Sequence, residues 1–138
     1  MAYWLMKSEP EAYSWDDLVR DGGTEWDGVR NNAATLNLRA MKTGDRAFLY
    51  HSVSDKAVVG IMEIVRGAKP DAKAKEGERW VSVAVKPVEK LARPVTLAEV
   101  KAEPRLKDME LIRQSRLSVA PVREEEWKLI LEMARTKD

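Results

Sequence analysis

Short strand-like and helix-like segments are interleaved along this chain without a regular rhythm, and that pattern restricts the fold more than any other feature. Tyr3–Lys7 is rich in aromatic and branched side chains and is stopped by Pro10, which predicts a strand. Arg46–His51 and Val58–Val65 read as two further strands, and the five residues Ser52–Lys56 between them suggest a hairpin. Trp80–Val85 alternates, with Val81, Val83 and Val85 on one face and Ser82 and Ala84 on the other. Ser14, three residues before Asp17, predicts a capped helix start, and Gly22-Gly23 its end. Ala33–Met41 sets Ala34, Leu38 and Met41 on one helical face, with Gly44 closing the segment. Leu97–Ala102 is a short helix with Thr96 as its cap and Pro104 as its stop. Glu124–Ala134 is the clearest helix: Trp127, Ile130, Leu131 and Ala134 share a face, acids fill its first turn, and Arg135 and Lys137 suit its C-terminal end. Thr24–Asn32 and Gly67–Glu78 read as loops, and Leu111–Val119 as a strand or an irregular segment. The parallel βαβ rhythm is missing, so the expected class is α/β of the α+β kind: a mixed or antiparallel, barrel-like sheet with short helices around it.

A length of 138 residues fits one domain, residues 1–138. Such a chain buries roughly 68–70% of its unfolded surface and needs no staple. The absence of Cys excludes disulfides, thiol catalysis and thiolate-bound metal, and a single His excludes multi-His metal sites. No metal and no cofactor is expected. A net charge of +1 argues against gripping nucleic acid by bulk charge. The longest apolar run, Ala57–Met62, falls far short of the ~20 residues of a membrane span. Met1–Lys7 lacks a signal-peptide core, so a cytoplasmic location is expected; a monomer without membrane partners is expected as well.

Enzyme chemistry finds little support. There is no Gly-x-Gly-x-x-Gly and no P-loop. His51 and Ser52 are neighbours on a predicted strand and would point to opposite faces, so they cannot share a triad. Glu9 and Glu11 read as surface carboxylates.

Five Trp are the compositional hint of a function. Trp127 and Trp15 fall at packing positions, and Trp80 begins a strand where it could close a barrel end. Trp26 lies in a polar stretch with Arg30, Asn31 and Asn32, which is equipment for a flat heterocycle: stacking plus edge hydrogen bonds. The alternative is an indole folded over the core beside Asn residues that cap a helix. Tyr50-His51-Ser52 and Gln114–Ser118 are two further polar clusters.

At these residues the chain resembles the EVE domain family of the PUA-like superfamily. The matching stretches are Tyr3–Pro10, Tyr13–Leu18, Trp26–Asn31, Met41–Asp45, Tyr50–Ser52, Val59–Ile61 and Ser115–Val119; Ala68–Arg79 is looser. The resemblance implies a strongly curved mixed sheet, nearly a barrel, and a non-catalytic reader of a modified base in DNA or RNA, notably modified cytosine in DNA. EVE domains resemble YTH domains, which hold a methylated base in an aromatic cage. The pocket so implied comprises Trp4, Lys7, Ser8, Trp26, Asn31, Tyr50, His51, Ser52, Arg116, Leu117 and Ser118. Lys7, Arg30, Arg39, Lys42 and Arg116 could form a basic patch despite the small net charge. A sensor or enzyme for a small nucleotide or heterocycle, and a peptide-binding module, are the alternatives.

Overall fold

The computed structural model describes residues 1–136; Lys137 lies outside them. Six strands form one mixed sheet: β1 (Tyr3–Ser8), β2 (Thr24–Trp26), β3 (Arg46–His51), β4 (Ala57–Pro70), β5 (Val81–Thr96) and β6 (Val119–Val122). Their order is β2-β5-β4-β3-β1-β6. Only β1 and β3 pair in parallel, with Lys7 beside Tyr50 and Ser8 beside His51; the other neighbours are antiparallel. β2 and β6 are the two edges, so the sheet does not close into a barrel.

The helices are α1 (Trp15–Asp21), α2 (Asn32–Ala40), α3 (Leu97–Ala102), α4 (Glu110–Arg113) and α5 (Glu124–Met133), with a 3-10 turn at Pro104–Leu106. The start of α1 is as its sequence predicts: Ser14 and Asp17 exchange the two bonds of a capping box, and Gly22 ends the helix in the left-handed region. Thr96 and Glu99 build the same device on α3. The Arg93 guanidinium, 2.8 Å away, together with the Thr96 backbone N–H, holds the Glu99 carboxyl down to about 2. Its ordinary value is 4.5, so this carboxylate stabilises the fold above that pH and ceases to as pH falls towards 2. The difference in melting temperature between wild type and Glu99→Gln should therefore shrink between about pH 5 and pH 2. A difference that stays constant would contradict this account.

Alternation divides the apolar side chains between two clusters. Trp4 and Met6 of β1, with Ala47 and Leu49 of β3, join Trp15, Leu18, Trp26 and Leu38 on one side. Leu5, Phe48 and Tyr50 join Leu106, Trp127 and Ile130 on the other. Trp127 stacks on Phe48 at 3.8 Å and on Tyr3 at 4.5 Å between ring centroids. The central strands are thus covered on both faces, which explains why Ala57–Met62 is a continuous apolar run. No helix of the described residues is long and apolar enough to cross a membrane.

Three sequence expectations need correction. Thr24–Trp26 is a strand rather than a loop; three residues are too few to show a period, and the pairing with Val83–Val85 is distant in sequence. β4 and β5 run far beyond the predicted segments, over 14 and 16 residues. β5 accommodates Pro87 and Pro94 because β2 covers only its residues 83–85, so both prolines lie where that strand has a free edge. Leu111–Val119 divides into part of α4, an irregular stretch and the first residue of β6. Trp80 is half-buried and precedes β5; it faces the Arg30 guanidinium, 5.6 Å from the ring centroid.

Candidate functional site

A cleft of about 550 Å³ opens where the two edges of the sheet flank the C-terminal end of β1. Lys7 and Ser8 come from β1, Trp26 from β2, and Ser118 from the residue leading into β6; Tyr13 and the loop Asp27–Arg30 complete the main walls. Helix α2 packs across the gap, and its Asn37 Nδ2 donates to the Val119 carbonyl of the β6 edge at 2.7 Å.

The floor is fixed by its own hydrogen bonds. Ser8 Oγ donates to the Tyr13 carbonyl at 2.8 Å, and the Tyr13 hydroxyl donates to Asp21 Oδ2 at 2.8 Å. Burial, and then that carboxylate, push the Tyr13 phenol up from its ordinary value. Lys7 Nζ donates to the Ser115 carbonyl at 2.8 Å and lies 5.7 Å from the Tyr50 ring centroid; burial lowers its pKa.

The wall formed by Asp27–Arg30 depends on a residue far along the chain. The Asp71 side chain is fully buried. Its Oδ2 accepts the Gly28 N–H at 2.9 Å and an Arg30 guanidinium N–H at 3.0 Å, and its Oδ1 accepts the Lys73 N–H at 2.7 Å. Burial alone would raise the Asp71 carboxyl, but the Gly28 and Lys73 amides and Arg30 outweigh it and hold it below its ordinary value. Gly28 turns with φ of 76°, a left-handed conformation that disfavours a side chain. The cleft's cations are largely matched. Arg30 pairs with Asp71, and Lys73 lies 3.4 Å from Asp27.

Trp26 is only 8% exposed and belongs to the apolar cluster. Its Nε1–H has no partner among the described residues, yet the one buried side-chain polar atom without a partner among those residues is Thr35 Oγ1. The indole N–H therefore keeps some access to solvent, on a residue that lines the cleft. Most of the ring packs, and what it presents is a donor, beside the more exposed Tyr13.

Lys7, Ser8, Trp26 and Ser118 are thus brought together from the sequence-derived set. Asn31, Arg116 and Leu117 line a second, neighbouring cleft. Asn31 Oδ1 accepts the Ala34 N–H at 2.9 Å and caps α2. The remaining four line neither. Trp4 is buried, and its Nε1–H donates to Asp45 Oδ2 at 3.0 Å. Tyr50 is buried in the second cluster. His51 Nε2 accepts the Trp15 backbone N–H at 3.0 Å, while Nδ1 lies 2.8 Å from Asp55 Oδ2. That network assigns the proton to Nδ1 and leaves Nε2 no free lone pair, so this His–Asp pair has no site at which to take a proton from a nucleophile. Ser52 is half-buried in the turn after β3, and its backbone N–H donates to the Ser8 carbonyl at 3.0 Å. Among the described residues no group of three or more His, Cys, Asp or Glu could hold a metal ion.

Sequence reasoning did not include Tyr13, Asp71 or Lys73 in the site, and it named Arg30 only as a polar neighbour of Trp26 and a member of the basic patch. Tyr13 carries a signal, as an aromatic next to a helix cap. Asp71 carries none: it stands in a polar stretch, and its partners on the cleft wall, Gly28 and Arg30, lie about forty positions away.

A family model for the EVE domain matches residues 2–133. The chain is similar to Rpa0253 from Rhodopseudomonas palustris, an NMR structure, at 54% identity and TM-score 0.92, covering 98% of this chain and 94% of that one. It is 34% identical to human thymocyte nuclear protein 1, over 96% of this chain and 73% of that protein. The crystal structure of human THYN1 protein in complex with 5-methylcytosine-containing DNA superposes with TM-score 0.91 at 34% identity, covering all of both chains.

Proposed function

The chain belongs to the EVE domain family, and from that premise we propose that it is a non-catalytic reader of a modified cytosine in DNA. The observation that carries the reading is the cleft itself. It is about 550 Å³, within the roughly 300–1,000 Å³ typical of small-ligand sites, and lies in a fold shared with a human relative solved with 5-methylcytosine-containing DNA. An aromatic Tyr13, the Trp26 N–H and the hydroxyls of Ser8 and Ser118 offer a planar ring both contact area and edge partners. The closed His51–Asp55 pair favours binding over turnover.

Drawing a base from a duplex costs a few kcal/mol. Aromatic contact returns ~1–3 kcal/mol. A methyl group adds ~0.8 kcal/mol, so the modification by itself distinguishes the two bases by about fourfold. Further selectivity comes from hydrogen bonds, because an unmatched donor in a buried site is costly.

Anisotropy titrations with short duplexes differing by one 5-methylcytosine test the reading. The modified duplex should bind at least about fourfold more tightly. Trp26→Phe keeps most of the ring volume and deletes the N–H, so affinity for the modified duplex should fall roughly 2–10-fold, the worth of one hydrogen bond. Equal binding of the two duplexes by the wild type would end this proposal.

A further inference from the structure

The second cleft differs from the first in charge rather than in shape. It has a volume of about 380 Å³ and is lined by Asn31, Ala33 and the run Arg113–Leu117, with no carboxylate in its wall. Arg113 and Arg116 are both exposed, and neither makes an ion pair or side-chain hydrogen bond among the described residues. The nearest acid in sequence, Glu110, accepts a bond from the Gln114 amide. In the first cleft, by contrast, Arg30 and Lys73 each face a carboxylate.

The two clefts adjoin. The chain passes from the first to the second between Arg30 and Asn31, and back between Leu117 and Ser118. Lys7 bridges them as well, since it lines the first and donates to the Ser115 carbonyl in the wall of the second. A nucleotide whose base entered the first cleft would carry its backbone out along this seam. Unmatched guanidinium groups are what a phosphodiester selects, through paired N–H donors and charge.

We infer that the second cleft seats the phosphates flanking the base held in the first, with Arg113 and Arg116 as the two cations that meet them. The inference rests on the base-reader reading above. It assigns affinity to one cleft and discrimination to the other.

The test is a salt series with the full chain, its Arg113→Gln/Arg116→Gln variant, and the modified and unmodified duplexes. Each lost phosphate contact lowers the slope of log K against log salt by ~0.9, so the variant's slope should be about two smaller. Affinity should fall roughly tenfold at moderate salt, equally for both duplexes, leaving their ratio unchanged. The control Arg105→Gln/Lys128→Gln removes two exposed cations on and beside α5, each paired with a carboxylate, and should leave the slope alone. An unchanged slope in the Arg113/Arg116 variant overturns the inference, as does a loss confined to the modified duplex. If the wild type bound both duplexes equally while the slope still dropped, the base-reader proposal would fail but the phosphate seat would stand.

Discussion

Gly60→Val should cost about 4 kcal/mol or more, a large share of the roughly 5–15 kcal/mol by which a domain is stable. Gly60 lies in the central strand β4, and the Trp15 ring passes directly over it. A Cβ at this position would stand 2.4 Å from Trp15 Cζ3, 2.5 Å from Cε3 and 2.8 Å from Cη2. The indole cannot move aside easily. It is the first residue of α1, its own backbone N–H is held by His51 Nε2 at 3.0 Å, and its ring is 5% exposed within the first apolar cluster. Overpacking a tight core typically costs ~1–3 kcal/mol, and here a rigid ring meets a rigid strand. Gly60→Ala should therefore lose about 2–3 kcal/mol in urea unfolding, with Val beyond that. Trp15→Leu should offset part of the Gly60→Ala loss, giving a coupling of about 1 kcal/mol or more in a double-mutant cycle. Gly60→Ala within half a kcal/mol of wild type would show that the contact is not as tight as described.

Asp71→Ala should be about as damaging to stability as Gly60→Ala and should also weaken binding. It strands the Gly28 and Lys73 N–H groups and leaves Arg30 without its buried partner. An unsatisfied buried group costs ~1–3 kcal/mol, and these amides are only partly buried, so a total loss of about 2–3 kcal/mol is expected. Asp71→Asn keeps the shape and one acceptor, and should lose about half as much. Because the Asp71 carboxyl sits below its ordinary value of 3.8, its contribution is present above that pH and fades as pH falls through the lower, folded value. The gap between wild type and Asp71→Asn should accordingly narrow on acidification. At neutral pH, loosening of residues 27–30 should lower affinity for the modified duplex by roughly 10–100-fold, as misplacement of a positioning wall does. The salt slope should stay unchanged, in contrast to the Arg113/Arg116 variant. A fully stable Asp71→Ala with wild-type binding would remove Asp71 from this role.

The parts of the molecule that could be read from the chain are those whose causes are local. The Ser14–Asp17 box, the Gly22 stop, the Thr96 cap and the Trp127 face of α5 each depend on residues within a few positions of one another. β1 and β3 were legible for a similar reason, since aromatic and branched residues between turn signals have few other uses. The free edge of β5 was not legible. Whether Pro87 and Pro94 end a strand or sit harmlessly on its margin depends on how far β2 extends beside them.

The candidate site follows the same division. The family resemblance placed Lys7, Ser8, Trp26 and Ser118 in a pocket, and the structure gathers these four around one cleft. It turns the Trp26 ring largely into the core, commits Asn31 to capping α2, and uses His51 to anchor α1. The separation of matched from unmatched cations is also a tertiary fact: Arg30 pairs with Asp71, whereas Arg113 and Arg116 form no ion pair among the described residues.

On its own, the amino-acid sequence determined β1, β3, the starts of β4 and β5, the helices α1, α2, α3 and α5, and which family the chain resembles, because side-chain period and capping act over a handful of residues. The cleft, its Asp71 brace and its cationic extension arise only when the curled sheet brings β2 and the approach to β6 around the end of β1. Contacts between positions forty to more than one hundred apart are decided by which surfaces bury together, and no local pattern encodes them.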